Sequence, residues 1–336
     1  MKLLRFLLFL SVLPIIHPTA TWAQASTTSP IRYIHAEKPS FQSKMLQSIF
    51  GLLGVKKGRQ VQQQLSPMAE PSTPAPIPRG LRRRYQIQQT RWQGQPVWAI
   101  SPKTGASEKV ILYLHGGAYL FSINKQHWQF AARLADQTQA TIIMPDYPVA
   151  PASSGLTAFW FAATFYQELL TKYTAENISL MGDSAGGGLV LALAMNLRKN
   201  DLPQPSQILL LSPWLDITMV NPDIESVDPK DKIFSIETLQ KAGEAYAGGF
   251  PPQDYRLSPI YGDLSDLAPI SVFIGTHDLF LADCRKLVNL SETVGAPLHY
   301  FEYPTMFHGW FMVGGLKEAK AATHQISALI RGELGL

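Results

Sequence analysis

Residues 178–188 read Ile178-Ser179-Leu180-Met181-Gly182-Asp183-Ser184-Ala185-Gly186-Gly187-Gly188. The first four are a short apolar run of strand type. A Gly-x-Ser-x-Gly pattern follows at 182–186, and from Ala185 the chain becomes rich in alanine and leucine, which predicts a helix over 185–199. A serine on so tight a strand-to-helix turn stands exposed at the tip. It also sits at a helix N-terminus, where partial positive charge favours a developing anion. The flanking glycines let the turn close without Cβ clashes. Ser184 is therefore the candidate nucleophile.

Outward from this turn the same alternation continues. Short apolar runs predict strands at 97–100, 109–114, 140–144, 178–181, 208–211, 270–274 and 298–302, and helices are expected over 126–137, 157–173, 235–246, 280–294 and 316–331. Strands of this kind between helices imply an α/β fold: a mostly parallel central sheet covered on both faces, with functional groups at the strand C-terminal ends. The stretch 214–268 breaks the alternation, so an insertion is expected at about 214–260.

A serine hydroxyl needs a base. Where the nucleophile stands on such an elbow, an acid and then a histidine follow it in the chain. Of eight histidines, His35, His115 and His127 precede Ser184, His17 lies in the leader, His299 in a strand and His324 in the last helix. His277 adjoins the acid candidate. His308, within Met306-Phe307-His308-Gly309-Trp310, follows the last strand in a loop and is the expected base. The run ISVFIGTHD places Asp278 just past a strand end, where it can fix the tautomer of His308 and stabilise its imidazolium. Asp283 is the rival; about one turn into the next helix, it is better suited to capping or local pairing. After KVILYL at 109–114 comes His115-Gly116-Gly117-Ala118-Tyr119, whose backbone amides, with that of Ala185, are expected to hold the oxyanion of a tetrahedral intermediate. His115 is read as a brace for this loop.

Composition narrows the alternatives. Hydrophobic residues make up 46% and charged residues 16%, which is globular and not disordered. The net charge of +4 falls once residues 1–25 are set aside, leaving 27 basic against 25 acidic residues, too little for a nucleic-acid binder. The run Arg79, Arg82, Arg83, Arg84 and Arg91 is read as a solvated edge. A single cysteine, Cys284, rules out an internal disulfide and a zinc-thiolate cluster, and it is expected to be a small buried apolar residue. No Gly-x-Gly-x-x-Gly opens a βαβ unit and no phosphate loop occurs, so no nucleotide cofactor is expected.

Residues 1–5 are short and positive, 6–16 are apolar, and 17–25 end in Ala23-Gln24-Ala25. These are the parts of a secretory signal, so residues 1–25 are expected to be removed, the mature chain to start at Ser26, and the protein to be periplasmic or secreted. An uncleaved signal anchor is the alternative. No stable membrane span is expected after cleavage. Residues 26–80 are read as an N-terminal cap helix and linker, and 81–336 as the catalytic domain. Within 41–65, Phe41, Met45, Leu46, Ile49, Leu52 and Leu53 form one apolar helical face, expected to dock on the main domain. A membrane-surface role is disfavoured because a strongly basic polar face is lacking. Residues 66–80 are proline-rich and read as an extended linker.

With these motifs in hand, the chain resembles the hormone-sensitive-lipase-like, or arylacetamide deacetylase-like, α/β-hydrolases over roughly residues 85–335. The resemblance rests on HGGAY at 115–119, DYPVAP at 146–151, GDSAGGG at 182–188, GTHD at 275–278 and the histidine of FHGW. It implies an α/β-hydrolase fold with a helical cap and a Ser184–Asp278–His308 triad. It also implies no metal or cofactor, and hydrolysis of small-molecule esters with short to medium acyl chains through an acyl-enzyme. The oxyanion loop of the family reads His-Gly-Gly-Gly; with Ala118 in third place, the implied donors are Gly117, Ala118 and Ala185, with Gly116 as a further contributor. Pro148 replaces the family's arginine, which questions the hydrogen bonding around Asp146. Phe41, Trp214 and Tyr246 are expected to make the pockets apolar. A serine amidase or peptidase on the same fold and a non-catalytic binding homologue are the other readings, and homo-oligomerisation is left open.

Overall fold

All five residues of β4 (Val110–Leu114) are buried, because the strand is covered on both faces: Leu112 and Leu114 join one core, Ile111 and Tyr113 the other. This period-two division is what a central strand of a doubly covered sheet requires. The computed structural model describes residues 30–333. The expected signal at 1–25 and its cleavage point lie outside the described residues.

The other strands are β1 (Arg32–Ile34), β2 (Tyr85–Trp92), β3 (Gln95–Pro102), β5 (Thr141–Pro145), β6 (Ile178–Asp183), β7 (Gln207–Leu211), β8 (Ile270–His277) and β9 (Leu298–Phe307). They form one sheet in the order β1-β9-β8-β7-β6-β4-β5-β3-β2. Neighbours are parallel from β1 to β5, and β3 and β2 are antiparallel. On one face lie α5 (Gly155–Leu170), α6 (Ala185–Lys199) and α8 (Leu281–Val294); on the other lie α4 (Lys125–Thr138) and α9 (Lys317–Arg331). The insertion after β7 carries α7 (Ile236–Ala247).

Two strands escape the apolar pattern. β1 is three residues long with no fully buried position, too short to show a period. β2 is an edge strand with only Tyr85 buried, so its polar sequence carries no core signal. It is held by a two-residue hairpin turn in which Gln93 and Gly94 both have positive φ, 46° and 81°, the turn whose twist suits paired strands.

The N-terminal region corrects the sequence reading. Residues 41–65 form not one helix but α1 (Phe41–Leu53), a 3-10 turn and α2 (Arg59–Gln64). α1 docks through Leu46 and Phe50 and the buried Ser43; Phe50 meets Phe307 edge-on at 5.3 Å, and Gln47 pairs with His277 Nδ1 at 2.9 Å. Phe41, Met45, Ile49, Leu52 and Leu53 face outward, Phe41 76% and Leu52 88% exposed. Apolar positions run round about half of this helix, and the contact with the domain uses only one edge of that arc. Phe41, expected to make a pocket apolar, therefore stands outside the apolar contacts of the domain. The linker is pinned, with Trp128 Nε1 donating to Ala75 O at 2.8 Å. It ends at Pro78, where the arginine run starts a short helix, α3 (Arg79–Arg84), whose Arg84 pairs with Asp136 at 3.0 Å.

Candidate active site

β6 ends at Asp183 and α6 begins at Ala185, so the turn is made by Ser184 alone, with φ 53° and ψ −123°. An L-residue avoids this conformation unless its surroundings impose it. Here Ser184 N donates to Leu211 O at 2.9 Å, and Trp214 N donates to Ser184 O at 2.8 Å. Gly186 has a steric reason: a Cβ there would lie 2.0 Å from Leu114 O, so β4 and α6 meet backbone to backbone.

Asp183, the unspecified second residue of the motif, ties the elbow to the following loop. Its Oδ1 accepts from Tyr113 Oη at 2.7 Å and from Gly116 N at 2.9 Å, and its Oδ2 lies 3.6 Å from His127 Nε2. His127 Nδ1 accepts from Asn124 N at 3.0 Å, which leaves the proton on Nε2. Burial opposes the Asp183 charge, but His127, Tyr113 and the Gly116 amide together hold its carboxyl below the usual range. No pattern in the sequence marks Asp183 or His127 for this role. The network also corrects one expected oxyanion donor: the Gly116 amide is already engaged by Asp183 and cannot serve an oxyanion. The amides of Gly117, Ala118 and Ala185 have no acceptor among the described residues.

The loop bends through Gly117 (φ 130°), Ala118 (φ 52°) and Tyr119 (φ 59°). Gly117 is required, since a Cβ there would meet Phe121 O at 2.5 Å. Ala118 holds a left-handed conformation that costs an L-residue roughly 1–2 kcal/mol. Ala118→Gly is accordingly expected to raise stability by about 1 kcal/mol in denaturant melts, with kcat/KM on a soluble ester within about threefold of the parent. A tenfold loss of activity would mean that the Ala118 methyl orders the loop. His115 is fully buried, stacks on Tyr147 at 4.3 Å, and has Nδ1 2.8 Å from Gly116 O. Asp146 keeps a partner with Pro148 beside it: its Oδ1 accepts from Ile123 N at 3.2 Å.

Asp278 follows β8 and is fully buried; its Oδ2 lies 2.9 Å from His308 Nδ1, and its Oδ1 accepts from Phe280 N at 3.1 Å. Against a carboxylate Nδ1 must donate, which leaves His308 Nε2 as the acceptor. The ring is held edge-on by Phe234 at 4.7 Å and Phe280 at 5.2 Å. Asp283, the rival acid, instead accepts from Asn221 Nδ2 at 2.8 Å, and burial pushes its carboxyl up to about 6. Ser184 lies at the same end of the sheet, just past β6, with β7 between β6 and β8. Trp214, which holds Ser184 O, stacks on Phe280 at 5.8 Å, and Phe280 bounds His308. Ser184 Oγ makes no hydrogen bond to His308 among the described residues; such contacts often tighten only in the substrate complex.

Sequence reasoning also missed Asp231. Fully buried in the insertion, it accepts from Ile233 N at 2.7 Å, Phe234 N at 2.9 Å and Leu279 N at 2.9 Å, so it seats both the Phe234 wall and the loop after Asp278. Burial and the neighbouring Asp278 charge push it up to about 6. Burial alone lowers the basicity of His308, but Asp278, then Asp231 and Asp183, raise it above the ordinary histidine value. Asp231→Asn removes one of these charges, so the acidic limb of the kcat/KM profile is expected to move to lower pH. An unchanged or upward-shifted limb in a pH-rate titration would count against the coupling.

Trp214, whose amide donates to Ser184 O, belongs to a buried aromatic stack. Tyr119 stacks on Tyr246 with centroids 3.5 Å apart and on Trp214 at 5.6 Å; Ser184 itself is 4% exposed. Cys284 is buried, and burial raises its thiol well above the usual range, as befits an inert core residue. Among the described residues, no group of three or more His, Cys, Asp or Glu side chains is placed to hold a metal ion.

The model of a family described as alpha/beta hydrolase fold matches residues 111–312. An esterase of Acinetobacter venetianus is 31% identical over 250 residues, covering 72% of this chain and 80% of its own length. An acetyl-hydrolase of Streptomyces hygroscopicus is 29% identical over 229 residues, with 68% and 77% covered. Among solved structures, a hormone-sensitive lipase from a metagenome library superposes with a TM-score of 0.75 at 25% identity, covering 89% of this chain and all of that one.

Proposed function

Because the chain belongs to the alpha/beta-hydrolase-fold family, as a carboxylic ester hydrolase of the esterase and lipase type, we propose that it is a serine carboxylesterase acting on short- to medium-chain acyl esters through an acyl-enzyme. The observation that carries this reading is the 2.9 Å pairing of His308 Nδ1 with buried Asp278, which leaves Nε2 unprotonated at the sheet end where Ser184 turns.

In the proposed cycle, Ser184 Oγ attacks the ester carbonyl as His308 Nε2 takes its proton. The amides of Gly117, Ala118 and Ala185 hold the oxyanion. His308 returns the proton to the leaving alcohol, and a water then repeats the sequence and frees the acid. The segment 214–260, with the inner edge of α1 at Leu46, Gln47 and Phe50, acts as a cap. Ser184 is only 4% exposed, and Trp214, which donates to its carbonyl, is locked in a stack with Tyr119 and, through it, Tyr246; this close packing favours short acyl chains over long ones.

Hydrolysis of p-nitrophenyl acetate, butyrate, octanoate and palmitate tests the preference, with activity expected to peak at the short chains. A phosphonate ester should leave one adduct, located by peptide mass spectrometry on Ser184. An adduct elsewhere would displace Ser184, and turnover of amides alone would move the reading to an amidase. We also propose export, on the leader pattern of residues 1–25; an intact Met1 on protein recovered from the exported fraction would refute cleavage.

A further inference from the structure

The outer face of α1 has no partner among the described residues. Phe41, Met45, Ile49, Leu52 and Leu53 are 76%, 45%, 38%, 88% and 70% exposed, and they lie along one side of a three-turn helix. Scattered exposed apolar residues need no explanation, but a continuous stripe does.

Charge indicates what covers it. From Lys38 to Ala69 the sequence contains Lys38, Lys44, Lys56, Lys57 and Arg59 and no acid, with Glu37 just before. Lys56 is paired with Asp228; Lys38, Lys44 and Arg59 are exposed and make no ion pair among the described residues. α1 itself carries only Lys44, which is why its sequence disfavours a membrane role. The structure, however, leaves the stripe uncovered by the described residues, with exposed cations before it (Lys38), on it (Lys44) and after it (Arg59), and that combination suits an anionic lipid–water interface. Among the described residues no helix is long and apolar enough to cross a membrane, so the contact would lie along the surface.

The inner face of the same helix touches the candidate active site, through Gln47 on His277, next to Asp278, and through Phe50 on Phe307, next to His308. The outer stripe is thus about one helix diameter, roughly 10 Å, from the flank of the acid–base pair.

We propose that the outer face of α1 is a docking surface for anionic lipid, which sets the active-site edge of the protein against a membrane or lipid droplet. This goes beyond the proposed chemistry and does not depend on it.

The test compares the full chain with the triple variant Met45→Gln, Leu52→Gln, Leu53→Gln, which keeps side-chain length and helix propensity. Both are sedimented with vesicles of equal phosphatidylglycerol and phosphatidylcholine, and with phosphatidylcholine alone. The parent should bind the mixed vesicles more tightly than the neutral ones, and the variant should bind them at least about tenfold less, having lost three apolar anchors. Melting temperature and hydrolysis of dissolved p-nitrophenyl acetate should be the same for both. Equal binding by parent and variant would place any lipid contact elsewhere and overturn the proposal, as would no binding by either. A parent that dimerises without lipid, beside a monomeric variant, would assign the stripe to a second copy of the chain and equally overturn it.

Discussion

Ser184→Gly is expected to yield a folded protein at least as heat-resistant as the parent, with kcat on soluble esters down by about 10⁴–10⁶. Both effects come from one backbone angle. Ser184 holds φ 53° and ψ −123° because the β6–α6 turn is closed by Leu211 and Trp214 from outside it. A conformation so rarely populated costs of order 1–3 kcal/mol in an L-residue. Glycine adopts it freely but pays about 0.5–1 kcal/mol more in chain entropy. The balance favours the glycine variant by about 1 kcal/mol, a rise in Tm of roughly 2 °C for a chain of this size. Ser184→Ala is the control: it loses the hydroxyl but keeps the Cβ, so activity should fall as far with no gain in Tm. Activity above a hundredth of the parent in either variant would mean that Ser184 is not the nucleophile. A glycine variant less stable than the alanine one would mean that the elbow stores no strain.

What could be read from sequence follows from where local pattern and tertiary contact agree. Strands such as Val110–Leu114 and Ile208–Leu211 are legible because burial on both faces forces continuous apolar runs. The elbow and the His308 loop are legible because they require glycine and a fixed chain order. β2 is invisible to that logic, since an edge strand has little to bury. The stripe on α1 misleads for the opposite reason. Helical periodicity reports that a face is apolar, not what meets it, and here the domain takes only Leu46 and Phe50. Asp183, His127 and Asp231 are illegible because their partners are backbone amides and side chains set by the fold: Gly116, Tyr113, Leu279 and Phe234. A lone carboxylate in sequence carries no sign of being buried beside another.

Asp278→Asn should lower kcat by about 10³–10⁴, because the amide no longer fixes the imidazole with its proton on Nδ1 and no longer stabilises imidazolium. The pH dependence gives this prediction a second readout. In the parent, burial of His308 is outweighed by Asp278, Asp231 and Asp183, so its affinity for a proton is above the ordinary histidine value and the acidic limb of kcat/KM lies above about pH 6.5. Without the Asp278 charge burial gains weight, and the limb should move down. The stability consequence has a definite sign. A histidine whose folded pKa is raised contributes stability that is complete below its unfolded value, about 6.5, and lost as pH rises through the folded value. The Tm advantage of parent over Asp278→Asn should therefore widen as pH falls from alkaline values toward 6.5. Asp231 adds to the effect from the variant's side: freed of its charged neighbour, it ionises more readily and relieves the variant at high pH. Melting both proteins across pH 6–9 decides the matter. A Tm difference that is flat, or that narrows toward pH 6.5, would show that the Asp278–His308 pair does not hold the proton that the proposed mechanism needs.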